Sequence, residues 1–188
     1  MQFDFSTIDK SWTLFLDRDG VLNDEKKDSY VFNRDELKIY DYVPKAVGYL
    51  STVFNKIILA TNQKGIGKGL MSVADLSDIH DFLKENLAKE NGKLDAIYFA
   101  PDLDSNSPNR KPQAGMAFQA KKDFPEIDFS KSIMVGNRIS DMEFGRNAGM
   151  HTVFVATTHP ETPFPNENID YRFDNLEAFA SYLKNTLS

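Results

Sequence analysis

The stretch Trp12-Thr13-Leu14-Phe15-Leu16-Asp17-Arg18-Asp19-Gly20 constrains this chain more than any other. A short apolar run ends in two aspartates one residue apart, followed by glycine. An apolar run bounded by turn residues reads as a buried strand. Two acids at its carboxyl end have little structural use, because they repel and a buried carboxylate is costly unless it is paired or bound to a cation. The carboxyl end of a parallel strand is also where open α/β sheets hold ligands. The pattern points to a carboxylate nucleophile with a divalent cation beside it.

Further short runs rich in Val, Ile and Phe recur downstream, at Lys56–Thr61, Ala96–Ala100, Ser132–Gly136, Thr152–Ala156 and Tyr171–Phe173. With Thr13–Leu16 they read as buried parallel strands. Helical patterns fall between them. Val43–Phe54 places Val43, Val47, Leu50 and Phe54 on one face, and Ser72–Asn91 does the same with Val73, Leu76, Ile79, Leu83 and Leu87 behind a Ser72 N-cap. Gln113–Phe124, Ser140–Ala148 and Leu176–Leu187 complete the set. The alternation predicts an α/β fold, a Rossmann-like three-layer sandwich with a mainly parallel central sheet. Asn23–Tyr40 lacks a regular pattern and suits a small flap over the strand ends, so the cap is minimal. Pro101–Pro112, and Thr157–Asn168 with its three prolines, read as loops.

The chain has 188 residues, the size of one domain, so residues 1–188 are expected to form a single unit. A hydrophobic fraction of 41% and a charged fraction of 27% place it among globular proteins. The net charge of −6 argues against nucleic acid or an anionic membrane as partner, though not against a small anion gripped by a local basic cluster. Cysteine is absent, which removes disulfides and thiolate metal sites. The amino terminus has no basic-then-apolar signal, and no apolar run approaches the ~20 residues that span a bilayer, so a cytoplasmic location is expected.

Four sites could carry chemistry. The first is Asp17-x-Asp19: Asp17 can attack phosphorus to form an aspartyl-phosphate, while Asp19 protonates the leaving oxygen and later deprotonates water. The bland alternative is a turn or capping pair. The second is Thr61-Asn62-Gln63, whose hydroxyl and amides can donate to phosphate oxygens, although a Ser/Thr or Asx turn explains the tripeptide equally simply. The Gly65-Ile66-Gly67-Lys68-Gly69 stretch that follows matches neither the Walker nor the dinucleotide template and reads as a flexible loop near the site. The third is Arg110-Lys111-Pro112, two cations suited to an anion or else a solvated basic pair. The fourth is Gly136-Asn137-Arg138-Ile139-Ser140-Asp141. Asn137 and Asp141 offer hard oxygen donors for Mg²⁺, or Ser140 and Asp141 cap a helix. His80, His151 and His159 have no metal-ligand spacing and read as structural or surface residues, and Trp12 and the Phe residues as core.

In their order along the chain, FLDRDGVLN, ATNQKGIGKG, NRKPQAGM and VGNRISDMEFGRNAGM resemble the haloacid dehalogenase superfamily of phosphotransferases. The resemblance is to its small phosphatases of the D-glycero-D-manno-heptose 1,7-bisphosphate and histidinol-phosphate group, with GIGKG and the GM after RKP nearer to the heptose enzymes. It implies a Mg²⁺-dependent phosphatase acting on a small phosphorylated metabolite, most simply a sugar phosphate, and a monomer. Asp17 would be the nucleophile and a metal ligand. Asp19 would be the acid/base, with its backbone carbonyl on the metal. Thr61 and Lys111 would stabilise the phosphoryl group. Arg110, Arg138, Asn62 and Gln63 would contact substrate. Asn137 falls where the family has a metal-binding Asp, with Asp141 behind it. That substitution implies a site one negative charge short and weaker Mg²⁺ affinity. It keeps a catalytically weak phosphate-binding protein open as an alternative, as the subgroup keeps histidinol phosphate open as substrate. Relatives often carry a Cys/His zinc loop before RKP. With no cysteine here, a structural zinc is not expected.

Overall fold

The structure, a computed structural model, describes residues 3–188. Six strands, β1 (Thr13–Leu16), β2 (Lys56–Asn62), β3 (Ala96–Ala100), β4 (Ser132–Gly136), β5 (His151–Val155) and β6 (Tyr171–Phe173), form one sheet in the order β3-β2-β1-β4-β5-β6. Every pairing is parallel. The order reverses at β1, which sits in the middle with β2 and β4 on either side. Leu16 pairs with Leu59 and with Val135, so these three strands end side by side. This is the crevice in which open α/β sheets bind ligands.

The pleat divides the apolar residues of β1 between two cores. Leu14 and Leu16 face the helices α1 (Val43–Val53), α3 (Val73–Ala88) and α6 (Leu176–Thr186), which contribute Leu50, Leu83 and Phe179 among others. Phe15 faces the opposite core with α4 (Gly115–Asp123) and α5 (Ile139–Ala148). Ser72 caps α3 in a reciprocal box with Asp75. The three-layer α/β sandwich expected from the sequence is therefore present.

Several local boundaries differ: α1 and α6 stop one residue earlier than expected, α4 is shorter at both ends, α5 begins one residue earlier, and β5 ends at Val155. β2 runs one residue further, to Asn62, and β5 begins one residue earlier, at His151. Helix α3 stops at Ala88 rather than Asn91. The glycine-rich stretch expected to be a flexible loop instead opens with a helical turn, α2 (Lys64–Gly67). Ile66 packs against the larger core, and the Lys68 N–H donates to the Lys64 carbonyl at 3.0 Å. The backbone at Gly67 runs so close to the Pro101 carbonyl that a Cβ there would lie 2.1 Å from it. The segment after β1 does form a small flap, tied at its root by Asp24 N–H to Lys38 O and Tyr40 N–H to Leu22 O. Among the described residues no helix is long and apolar enough to cross a membrane.

Phe15 is fully buried and meets the Phe144 ring edge-on at 6.5 Å between centroids, directly beneath the two aspartates. Phe15→Ala is expected to lower stability by about 3–5 kcal/mol. Urea unfolding monitored by circular dichroism measures this, and a loss below 1 kcal/mol, by the same scale, would show that this core does not support the strand end.

Candidate active site

Asp17 follows β1 immediately, and its N–H donates to the Val135 carbonyl at 3.0 Å, extending the β1–β4 ladder by one residue. Its carboxylate is almost wholly buried and accepts from Lys111 Nζ at 2.8 Å. Lys111 reaches this point from the loop before α4. Its ammonium also donates to the Ala60 carbonyl at 2.8 Å and lies 2.7 Å from Asp141 Oδ1. Three N–H groups thus meet three acceptors. Asn62 holds the backbone beneath: its Oδ1 accepts from Lys111 N–H at 3.0 Å and its Nδ2 donates to Lys111 O at 3.1 Å. The Asn62 amide, expected to face substrate, lines the cavity and also anchors the Lys111 backbone.

Asp141 caps α5. Its Oδ2 accepts from the N–H groups of Asn137 (3.2 Å) and Arg138 (3.0 Å) while Oδ1 faces Lys111. Both of its oxygens are engaged by nitrogen donors. A Cβ on Gly136 would lie 2.2 Å from the Asp141 side chain, so glycine is required for the carboxylate to fold back over the strand end. Gly20, at φ +83°, has the same relation to Asn137: a Cβ there would lie 2.1 Å from Nδ2.

The two aspartates of the DxD pair have opposite electrostatics. Burial, and then the nearby Asp141 charge, push the Asp17 carboxyl up to about 7 against the pull of Lys111. Burial also acts to raise Asp19, but the Arg18 guanidinium outweighs it, with hydrogen bonds from Asn23, Arg18 and Gln63, and the carboxyl is held below its ordinary value. Arg18 was not singled out in the sequence. It is fully buried and grips Asp19 through Nη2 at 2.9 and 3.0 Å. His80 Nε2 lies 3.4 Å from Arg18 Nη1. Burial, and then the Arg18 charge, press the His80 ring down to about 3, so it is neutral and accepts from the guanidinium. Asn23 Nδ2 donates to Asp19 Oδ1 at 2.9 Å, and Gln63 Nε2 links Asp19 Oδ2 (3.2 Å) to Thr61 Oγ1 (2.9 Å). Asp170, near the far end of β5, is also strongly perturbed, but it pairs with Arg146 and Thr152 away from this edge.

A cavity of about 740 Å³ opens above these groups. Asp19 and Lys111 line it, as do Lys64, Lys68, Arg110 and Arg138. Glu25 of the flap lines it too, and pairs with Arg138. An anion entering the cavity meets cations from α2, the Arg110 loop and the start of α5. Every sequence-predicted site residue therefore lies at one sheet edge. Arg18, Asn23, Glu25 and His80 join them, residues that spacing alone did not mark.

This architecture, a switch-point crevice with a DxD strand end and a lysine from a later loop, is that of a haloacid dehalogenase-like hydrolase. Residues 108–178 match the HAD-hydrolase-like family model. The chain is 33% identical over 175 residues to D-glycero-alpha-D-manno-heptose-1,7-bisphosphate 7-phosphatase of Campylobacter jejuni, covering 93% of this chain and 97% of that one. It is 36% identical over 160 residues to the Burkholderia mallei enzyme of the same name, with 78% and 80% covered. Its fold superposes with a TM-score of 0.83 on the D,D-heptose 1,7-bisphosphate phosphatase of B. bronchiseptica, crystallised with magnesium and phosphate, at 29% identity and 93% and 98% coverage. The chain belongs to the heptose-bisphosphate phosphatase family of haloacid dehalogenase-like phosphoric monoester hydrolases.

The raised Asp17 carboxyl carries a stability consequence. The folded chain binds the Asp17 proton more tightly than the unfolded chain, so this group's contribution to stability falls as pH rises from about 4 to about 7. Asp17→Asn removes the titration while its amide oxygen still accepts from Lys111. Without metal, the variant is expected to melt roughly a few degrees above the wild type at pH 8, with the gap closing toward pH 5. Calorimetry in EDTA across this range checks it. A gap that does not vary with pH would contradict the assignment.

Proposed function

We propose that the chain is a Mg²⁺-dependent phosphatase that hydrolyses a small phosphorylated sugar through an aspartyl-phosphate on Asp17, with D-glycero-D-manno-heptose 1,7-bisphosphate as substrate. One observation carries this reading: the Asp17 carboxylate sits 2.8 Å from the buried Lys111, and Lys111 lines a cavity whose walls bring in six further cations, Arg18, Lys26, Lys64, Lys68, Arg110 and Arg138. The substrate is supported by the relatives of that name and by the volume of the cavity, which exceeds the needs of a lone phosphate.

The residues present fit a hard divalent cation. Asn137 Oδ1 is buried with no hydrogen-bond partner beside the β1–β4 strand ends, an amide oxygen left free to ligate. Asp17 offers a carboxylate oxygen and Asp19 its backbone carbonyl. Among the described residues no group of three or more His, Cys, Asp or Glu side chains forms a metal cage. That suits Mg²⁺, which keeps several waters and uses few protein ligands. When bound, the cation would offset the repulsion between Asp17 and a phosphate.

In this reading, an oxygen of Asp17 attacks the phosphorus and the ester P–O bond breaks. Asp19 gives its proton to the departing oxygen. It then takes a proton from a water that attacks the phosphorus, breaking the P–O bond to Asp17 and releasing phosphate. Asp19 is ionised in the resting network, which suits the second half. For the first half it gains its proton as the negative phosphate enters and raises its proton affinity. Thr61 and Lys111 hold the transferring phosphoryl group, Arg110 and Arg138 hold the rest of the substrate, Gln63 positions Asp19 and Thr61, and Asn62 acts through Lys111. Asp141 keeps Lys111 and the start of α5 in place. The Pro101–Pro112 loop has no cysteine with which to hold zinc, so its shape rests on contacts such as Arg110 Nη1 to Asp102 O at 3.0 Å. We take the protein to act as a monomer.

Two measurements test this. Asp17→Asn is expected to lower turnover by at least about 10³-fold with the fold intact by circular dichroism, and retained activity would remove Asp17 as nucleophile. A substrate panel is expected to give the highest kcat/KM for heptose 1,7-bisphosphate. A preference for histidinol phosphate, or no hydrolysis at any Mg²⁺ concentration, would overturn the substrate or the enzyme reading respectively.

A further inference from the structure

Asn137 stands where the family pattern has a carboxylate, and the structure sets against it the Glu25 carboxylate, which another carboxylate would repel. Its Nδ2 donates to Glu25 Oε2 at 3.1 Å and to Thr158 Oγ1 at 2.6 Å. Glu25 comes from the flap, and its other oxygen accepts from Arg138 Nε at 3.1 Å. An ionised carboxylate only accepts hydrogen bonds. The amide can therefore lie one way round: flipped, Oδ1 would face the Glu25 oxygen and both N–H groups would lose their acceptors. Oδ1 is left as the free end, buried and unpartnered. Thr157, the neighbour of Thr158, donates through Oγ1 to Gly20 O, which ties this loop to the turn after the DxD pair.

We propose that Glu25 is a positioning residue for the cation site: it fixes the Asn137 amide so that Oδ1 is presented as a ligand. The inference rests on the Mg²⁺ reading of the site. It assigns to an Asn137–Glu25 pair the place that a single aspartate fills in the family pattern. It follows that Asn137→Asp alone is expected not to restore a strong site, since the new carboxylate would face Glu25 at hydrogen-bond distance.

The test is calorimetric titration of the full chain with Mg²⁺ alone, without substrate, together with melting curves in EDTA. Glu25→Ala is expected to weaken Mg²⁺ binding about tenfold or more, as loss of a ligand's orienting partner does, with an unchanged melting temperature in EDTA. Glu25→Gln keeps an acceptor for Nδ2 and is expected to retain close to wild-type affinity. Asn137→Asp combined with Glu25→Gln is expected to bind more tightly than Asn137→Asp alone. If the wild type binds Mg²⁺ and Glu25→Ala binds it equally well, the positioning role is wrong while the metal reading stands. Equal loss in Glu25→Gln and Glu25→Ala would also overturn it, because orientation would not be the cause. A wild type that binds no Mg²⁺ overturns the metal reading and this inference with it.

Discussion

The Lys111 ammonium is the contact on which the site depends. Its three hydrogens are shared among Asp17, Asp141 and the Ala60 carbonyl, and its side chain is almost completely shielded from solvent. Burial alone would disfavour its charge, but Asp141 and Asp17 outweigh that and raise its proton affinity. Without the lysine, two carboxylates, Asp17 just past β1 and Asp141 in the first turn of α5, would confront each other in a place with little water. Removing one partner of such a group leaves an uncompensated buried charge, which is more damaging than the pair is stabilising. The reciprocal bonds of Asn62 to the Lys111 backbone therefore matter as much as the ion pairs, because they bring a distant loop to the end of β2.

Around this clamp, environment separates two chemically identical side chains. Asp17 lies among carboxylates with one shared cation and is pushed up, whereas Asp19, two residues away, is held down by a buried guanidinium and two amides. Such divergence between neighbouring titratable groups is how one site assigns different tasks to the same residue type. The proposed nucleophile is the group whose charge the fold satisfies least, and so the one with most to gain from a cation or a phosphoryl group. The proposed acid/base is the group whose position is fixed most firmly, by Arg18 and Asn23 from the segment after β1 and by Gln63 just past β2, with His80 of α3 behind Arg18.

Much of this was legible in the sequence because parallel sheets place strand ends together. Once Thr13–Leu16, Lys56–Thr61 and Ser132–Gly136 read as strands, Asp17, Thr61 and Asn137 had to share an edge. Side-chain partners across long separations were not legible. Arg18 and His80 meet because α3 packs against the sheet, and nothing in either local sequence marks the contact. Asn62 lines the cavity as its position suggests, but its bonds to the Lys111 backbone, a loop residue beyond β3, were not legible. Glu25 lay in a patternless stretch, and its place beside Asn137 follows from the flap's tie to Lys38 and Leu22. Gly65–Gly69 looked flexible by composition, but the close approach to the Pro101 carbonyl and the packing of half-buried Ile66 against the core favour a helical turn.

The most direct test of the central claim is chemical trapping of the Asp17 carboxylate during turnover. An acyl phosphate is reduced by borohydride at the carbonyl carbon to an alcohol, so quenching the working enzyme into borohydride and mapping peptides by mass spectrometry reports which carboxylate carried the phosphoryl group. Conversion of residue 17 to homoserine, dependent on substrate and lost in Lys111→Met, is the predicted result. Rapid hydrolysis with no reduced residue at position 17, or with the modification at Asp19, would contradict the account.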